Sequence, residues 1–226
     1  MKNNSMAVAA LSAALVAAGD AQAVSAFVQT HAIEREVRTA DPSEFQGEAV
    51  AVKLDFVKSG SEYSTRVWQL YGAAEQMRGA DADDPYRFAN LALSQERRHW
   101  SERTQRYAFF SYGLSVAQYQ LPQIREADFL GVRVGAGAGY PLFRNRVILT
   151  TELDVQLLQQ IGADADDNRQ AELGTITGKL GLLWSFEHFG VNASYSYRYM
   201  NYYEGVDSDI VDVSQMLGIG IGFALD

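Results

Sequence analysis

Between Phe189 and Leu225, apolar or aromatic residues alternate one by one with small or polar residues, over two segments that a break at Glu204 to Asp209 separates. The apolar face of the two segments carries Val191, Ala193, Tyr195, Tyr197, Tyr199, Val211, Val213, Leu217, Ile219, Ile221, Phe223 and Leu225. The other face carries Asn192, Ser194, Ser196, Arg198, Met200, Asp212, Ser214, Gly218, Gly220 and Gly222. A period of two predicts strands with two unlike faces and excludes a helix. Because amphipathic rings collect where hydrocarbon meets water, the tyrosines indicate a lipid-facing surface.

The same period recurs upstream in segments of roughly ten residues, the length that a tilted membrane strand needs. Clear segments lie near 175–186, 147–157, 130–139 and 109–116, and weaker ones lie near 50–56, 62–74 and 87–97. These nine strands need a tenth, since single-chain bacterial barrels have an even number. We expect the tenth at Val24 to Arg38, and an eight-stranded barrel that starts near Glu62 is the alternative. The predicted fold is therefore all-β, a closed antiparallel transmembrane barrel in up-and-down order.

The N-terminus has the pattern of a cleaved export signal. Lys2 supplies a positive charge, Met6 to Ala18 is an apolar stretch too short to span a bilayer, and Ala21-Gln22-Ala23 offers a cleavage site. We expect residues 1–23 to be a signal peptide and residues 24–226 to form a single barrel domain.

Composition narrows the class of protein further. The chain of 226 residues has a formal net charge of -9, and this acidic balance argues against a nucleic-acid partner. Cysteine is absent, so no disulfides stabilise the exported chain. No later run approaches the roughly 18 apolar residues of a transmembrane helix. Export without a helical anchor leaves the periplasm, the outer membrane or secretion, and the strand pattern favours the outer membrane.

Loop charges give a check on the topology that does not depend on hydrophobicity. With ten strands, the five outer connections fall near 39–47, 75–87, 120–128, 160–170 and 203–209, and all five are net negative, with a total of -10. The four inner turns, near 58–61, 96–106, 143–146 and 186–189, total +4. A wrong number of strands between two connections would have placed negative and positive connections at the same end. The charges therefore support the ten-strand topology.

Two of the outer loops share the hexapeptide Gly-Ala-Asp-Ala-Asp-Asp, at Gly79 to Asp84 and Gly162 to Asp167. The clustered carboxylates belong to Asp81, Asp83, Asp84, Asp164, Asp166 and Asp167. Such oxygens can gather a hard cation, so a weak calcium or magnesium site is one interpretation, with lipopolysaccharide phosphates sharing the ion. Solvated loop tips are the simpler interpretation, and it is favoured because charge runs usually lie at the surface.

Charges on the non-apolar faces form the second candidate site. If the apolar faces meet lipid, six charged side chains on neighbouring strands point into a narrow lumen: Arg133, Glu152, Asp154, Lys179, Arg198 and Asp212. Charges buried there must be paired. The pattern favours a structural network of ion pairs that fills the barrel, with a conducting or catalytic site as the alternative. We expect the inward glycines near 135–139 and 218–222 either to leave room for long Arg and Met side chains or, equally, to leave a water-filled slot.

Three series carry a resemblance to a known family: Gly-Ala-Gly-Ala-Gly-Tyr-Pro-Leu at 135–142, Gly-Val-Asn-Ala-Ser-Tyr-Ser-Tyr-Arg-Tyr at 190–199 and Gly-Ile-Gly-Ile-Gly-Phe at 218–223. Over about Ala127 to Asp226 the chain resembles the small bacterial outer-membrane β-barrel proteins, which include the OmpA transmembrane domain and OmpW-like barrels. The resemblance implies location in the outer membrane and insertion by the barrel-assembly machinery. That machinery reads a terminal aromatic residue in the family, whereas Phe223 here precedes three further residues.

Some outer-membrane barrels are lipid A deacylases that use a His and a Ser near the outer end of a strand. The matching stretch here, residues 199–203, contains neither, and the chain has only His31, His99 and His188. The sequence therefore leaves enzymatic activity open and favours a non-enzymatic protein.

Three hypotheses for function follow. The first is a non-enzymatic outer-membrane barrel, either structural, adhesive or a narrow porin-like channel, with acidic extracellular loops. The second is a lipid-modifying hydrolase such as a lipid A deacylase, and the third is a soluble periplasmic barrel that binds an apolar ligand. The expected partners are outer-membrane lipid, lipopolysaccharide and the assembly machinery. We expect no cofactor beyond the weak divalent ion, and the oligomeric state stays open.

Overall fold

Ten long antiparallel strands form nearly all of the described structure. The computed structural model describes residues 23–38, 43–58, 63–79, 85–101, 103–121, 124–143, 146–161, 171–186, 189–203 and 209–225. The strands are β1 Ala23–Arg38, β2 Ser43–Lys58, β3 Ser64–Gly79, β4 Pro85–Trp100, β5 Tyr107–Leu121, β6 Ile124–Leu142, β7 Val147–Ile161, β8 Glu172–Ser185, β9 Phe189–Tyr203 and β10 Asp209–Leu225. Each strand exceeds the 9–11 residues that cross a bilayer at a tilt.

Each strand pairs with its neighbours in the chain, and β1 pairs with β10 to close the barrel. The prediction of a closed ten-stranded antiparallel barrel in meander order is confirmed. The eight-stranded alternative is wrong, because β1 and β2 are fully paired with each other and with β10 and β3. The tenth strand lies where the even-number rule placed it, although its alternation in the sequence is poor.

The register shows how strongly the strands tilt. A path of directly paired residues that starts at Ala26 on β1 and passes once around the barrel returns to β1 at Arg38, twelve residues further along. A stagger of this size requires tilted strands, as closed barrels in general do. Residues far apart in the sequence therefore lie at the same height inside the barrel.

The two ends of the barrel differ in their connections. The end with residues 39–42, 80–84, 122–123, 162–171 and 204–208 is called the loop end here, and the opposite end, which holds Ala23, Leu225 and four connections, is called the turn end. Two turn-end residues, Gln105 (φ 51°) and Phe143 (φ 47°), have left-handed backbone conformations, as tight turns often require.

Several charges assigned to connections lie within strands instead. Glu44 is in β2, Glu75 is in β3, and Glu96 and Arg98 are in β4. The physical reason is that backbone pairing continues beyond the apolar part of each strand, so a charged residue does not mark where a strand ends. Glu75, Glu96 and Arg98 face the lumen, which changes the candidate site.

Several predicted features lie outside the described residues. They include the signal peptide apart from Ala23, His188, and the acidic residues Asp81, Asp83, Asp84, Asp164, Asp166 and Asp167.

Among the residues that the structure describes, no helix is long and apolar enough to cross a lipid bilayer.

Candidate functional site in the barrel lumen

Burial alternates along the strands and separates inward from outward side chains. On β1, for example, the inward residues His31, Ile33, Arg35 and Val37 are buried, while the intervening ones are exposed or half-buried. Among the side chains that the structure describes, the inward cations are Arg35, Lys53, Arg98, Arg133, Lys179 and Arg198. The inward anions are Asp55, Glu75, Glu96, Glu152, Asp154 and Asp212. The described side chains of the lumen therefore carry six charges of each sign.

The six charged residues that the sequence singled out all point inward, but they fall into two groups. Arg133 donates to Asp154 and lies 3.6 Å from Glu152. Glu152 is the direct cross-strand partner of Lys179. Arg198 and Asp212 lie on neighbouring strands, yet each forms its ion pair with a residue that the sequence did not identify, Glu75 and Arg35 respectively.

Arg35, Glu75, Arg198 and Asp212 form what we call the buried ion cluster. Oε2 of Glu75 accepts from Arg35 at 2.6 Å and from Arg198 at 2.7 Å. Nε of Arg35 lies 3.1 Å from Oδ1 of Asp212. The side chains of Arg35, Glu75 and Asp212 are 0%, 3% and 1% exposed. Charges this deeply buried persist only when they are paired, so the cluster ties β1, β3, β9 and β10 together across the lumen.

Aromatic rings surround the buried ion cluster on its loop-end side. Tyr86 donates a hydrogen bond of 2.8 Å to Oδ2 of Asp212, and its ring lies 4.2 Å from the guanidinium of Arg35. The guanidinium of Arg198 lies 4.8 Å from the ring of Phe88. Desolvated cation–π contacts of this kind add to the stabilisation of the arginines.

A layer of rings fills the lumen at the loop end, and we call it the aromatic plug: Phe45, Tyr86, Phe88, Tyr119, Phe129 and Tyr202. Neighbouring rings in it have centroids 5.6–6.3 Å apart. All six side chains are buried, and Tyr86, Tyr119 and Phe129 are 0% exposed. Aliphatic and sulfur-containing side chains pack around them: Ile33, Val37, Met77, Leu158, Leu173, Met200, Ile210 and Met216. The loop half of the lumen is thus packed like a protein core.

Sequence reasoning missed the aromatic plug because it assigned apolar residues to the lipid face and polar residues to the lumen. A usable signal existed in β4, where Tyr86 and Phe88 occupy the face opposite to Ala89, Leu91 and Leu93. Apolar residues on both faces of one strand half indicate burial on both sides.

Below the aromatic plug lies a cavity of about 130 Å³. One wall consists of the small side chains of Ala49, Ala51 and Ala73, and the charged part of the opposite wall includes Asp154 and Lys179. The small side chains of β2 and β3 help to leave this space. Side chains on the turn-end side are accessible, with Lys53 37% and Glu152 30% exposed. The cavity therefore communicates with the turn end and not with the loop end.

A further polar group lies at the turn end of the lumen. Asp55 lies 3.4 Å from Nζ of Lys53 and 3.7 Å from Nη2 of Arg98, which also pairs with Glu96. Gln69 donates a hydrogen bond of 2.7 Å to Glu96. The cations of this group are partly accessible, with Lys53 37% and Arg98 23% exposed, so their ion pairs contribute less to stability than the buried ion cluster.

The inward glycines have a different role from the predicted one. An added Cβ at Gly222 would lie 2.1 Å from the ring of Phe27, and one at Gly139 would lie 2.1 Å from the ring of Tyr107. At Gly218 the nearest atom is Nδ1 of His31, at 2.4 Å. Rings of the adjacent strands therefore lie beside Gly137, Gly139, Gly218 and Gly222, where the prediction of Arg and Met side chains is wrong, whereas a Cβ at Gly135 or Gly220 would meet other atoms.

The described residues hold no group of three or more His, Cys, Asp and Glu side chains arranged for a metal ion. His31 faces the lumen, and His99 is exposed at the turn end. In the stretch 199–203, Met200 and Tyr202 are buried, and Tyr202 belongs to the aromatic plug.

Comparison with models of known protein families and with curated proteins finds no match. Among solved structures, the chain is similar to the outer membrane protease OmpT from Escherichia coli, at 6% identity and a TM-score of 0.46, covering 90% of this chain and 97% of that one. It is also similar to the translocator domain of the autotransporter NalP from Neisseria meningitidis, at 15% identity and a TM-score of 0.42, covering 98% and 95%. Neisserial surface protein A matches at 10% identity and a TM-score of 0.40, covering 88% and 96%.

Proposed function

We propose that the protein is a non-enzymatic outer-membrane β-barrel whose lumen does not conduct solutes, and that it serves a structural or adhesive role. The proposal of a closed lumen rests on the aromatic plug and on the buried ion cluster beneath it. Outer-membrane lipid and lipopolysaccharide surround such a barrel, and the barrel-assembly machinery inserts it.

The exterior supports the membrane location. Leu217 and Ile219 are each 65% exposed, and exposed apolar side chains recur on the outward faces around the barrel. Contiguous apolar surface of this extent is unusual on a soluble monomer. Exposed aromatic residues gather at the turn end, where a bilayer interface would lie: Tyr63, Tyr140, Phe143, Trp184, Phe186, Phe189 and Phe223. A soluble periplasmic barrel would need the opposite arrangement, with polar residues outside.

The membrane location predicts a specific behaviour on gels. The folded protein should be recovered with the outer-membrane fraction and should migrate faster on a gel before boiling than after it, because a closed barrel resists detergent until it is heated. Recovery of the folded protein in the soluble fraction, with the same mobility before and after boiling, would contradict the proposal.

The closed lumen predicts that the protein is silent in a planar lipid bilayer. The triple variant Tyr119→Ala, Phe129→Ala, Tyr202→Ala should show discrete conductance steps, because it removes three contiguous rings of the aromatic plug. Leu157→Ala, on the outward face, is the matched control and should remain silent. Conductance steps in the wild type as large as those of the triple variant would mean that the lumen is open. The double variant Phe129→Ala, Tyr202→Ala serves if the triple variant does not fold.

A further inference from the structure

Three cations lie side by side on the outward face of the turn end. Lys58 on β2 is the direct cross-strand partner of Arg66 on β3, and Arg66 is the direct partner of Arg97 on β4. We call Lys58, Arg66 and Arg97 the cationic row. Like charges directly opposite each other destabilise a sheet, so Arg66 and Arg97 need a compensating partner.

That partner does not come from the described part of the chain. Arg66 and Arg97 are both exposed, and neither forms a hydrogen bond or an ion pair with any residue that the structure describes. Outward-facing residues of the turn end include no carboxylate within the described ranges, since Asp55 and Glu96 point into the lumen. The loop end is different, because its outward face carries Glu34, Glu36, Glu44, Glu48, Asp128 and Glu172.

The rows above the cationic row follow the chemical layers of a lipid leaflet. Two residues further along each strand toward the loop end lie the buried Phe56 and the more accessible Trp68, Gln95 and Tyr112, all in register. Two residues beyond them lie Leu54, Leu70, Leu93 and Leu114, also in register. At about 3.3 Å per residue, the cationic row lies roughly 13 Å along the strands from the leucines. Leucine matches hydrocarbon, aromatic residues match the interface, and the cations then lie at the headgroups.

We propose that the cationic row binds the phosphate of an anionic phospholipid headgroup in the leaflet that meets the turn end. Arginine suits this role, because its planar guanidinium contacts phosphate oxygens through two parallel hydrogen bonds. A phosphate between Arg66 and Arg97 removes the repulsion between them, and the acyl chains extend over Trp68 and the leucines. This inference rests on the proposed membrane location.

The test compares lipid binding to the barrel folded in an uncharged detergent. The probes are dioleoyl phosphatidylglycerol, dioleoyl phosphatidylcholine and inorganic phosphate, and bound lipid is counted by native mass spectrometry. The variant Arg66→Gln, Arg97→Gln should bind phosphatidylglycerol about tenfold more weakly than the wild type, since each cation near a lipid surface contributes appreciably to attraction. Arg78→Gln, Arg87→Gln is the matched control, because it removes two outward arginines from the loop end of the same two strands.

The stability of the barrel against urea in two kinds of vesicle is a second measurement. A purely structural role of Arg66 and Arg97 would not make this stability depend on the lipid. In phosphatidylcholine vesicles the Arg66→Gln, Arg97→Gln variant should unfold at the same urea concentration as the wild type or a higher one, because a repulsion is gone. With phosphatidylglycerol in the vesicles, the wild type should become the more stable of the two. If the double variant does not fold, the single variant Arg97→Gln takes its place.

Several outcomes would overturn the assignment. They are unchanged phosphatidylglycerol binding in the Arg66→Gln, Arg97→Gln variant, equal losses in both double variants, and inorganic phosphate binding without preference for the lipid. Failure of the wild type to fold into either kind of vesicle would instead contradict the proposed membrane location. The two proposals therefore fail in distinguishable ways.

Discussion

Replacing Glu75 with glutamine is expected to lower the free energy of unfolding by about 3–5 kcal/mol, the usual cost of leaving a buried charge without its partner. The carboxylate of Glu75 holds Arg35 and Arg198 together. Without it, Arg198 has no ion-pair partner among the described residues, and Arg35 keeps only Asp212. The measurement is a urea titration of the barrel folded in phosphatidylcholine vesicles, followed by gel mobility without boiling.

Glu48→Gln is the control, because it makes the same chemical change on the outward, exposed face of β2. Its free energy of unfolding should change by no more than about 0.5 kcal/mol. The double variant Glu75→Gln, Arg198→Met should recover part of the loss, since an apolar side chain does not need a carboxylate. Equal losses for Glu75→Gln and Glu48→Gln would show that the buried ion cluster does not stabilise the barrel.

Replacing Gly131 with alanine is the second change with a large expected effect. Gly131 on β6 is paired with Leu158 on β7, and an added Cβ would lie 1.9 Å from the carbonyl oxygen of Leu157 and 2.7 Å from Cα of Leu158. These are backbone atoms, so a rotamer change cannot relieve the clash and the two strands must separate. We expect a loss of about 3 kcal/mol, at the upper end of the usual cost of overpacking.

Gly178→Ala on β8 is the matched control, because a Cβ there meets nothing within 4 Å. That variant should be unchanged or more stable by roughly 0.5 kcal/mol, since alanine loses less backbone entropy on folding than glycine. Both variants are compared by urea titration and by the fraction that folds into vesicles. A Gly131→Ala barrel as stable as the Gly178→Ala barrel would contradict the close approach of β6 and β7.

The C-terminal strands are predictable from the sequence, whereas β1 to β4 are less so. From β5 to β10 apolar and polar side chains alternate clearly over most of each strand, and the inward rings of Tyr119, Phe129 and Tyr202 lie near the loop end of theirs. In β1 and β4 the loop half of the strand is apolar on its inward face, as Ile33, Val37, Tyr86 and Phe88 show. This second apolar face weakens the alternation of apolar and polar residues, so the strand is hard to recognise from the sequence.

The lumen charges illustrate how far the candidate site could be predicted. Alternation alone places Arg198 and Asp212 on inward faces. It does not reveal that Glu75 lies between Arg35 and Arg198, from which it is separated by 40 and 123 residues in the chain. Which inward residues share a height depends on the stagger of the barrel, and a strand pattern carries no information about stagger.

The sequence by itself determined the strand pattern, the even strand number and the opposite signs of charge at the two ends, because each of these depends on residues within one strand or one connection. Only the tertiary structure decided that the loop half of the lumen is packed with aromatic rings, that Glu75 joins two arginines, and that Lys58, Arg66 and Arg97 lie in one row. Each of those depends on the register between strands and on the closure of β1 against β10, which hydrogen bonds and side-chain packing set over the whole barrel.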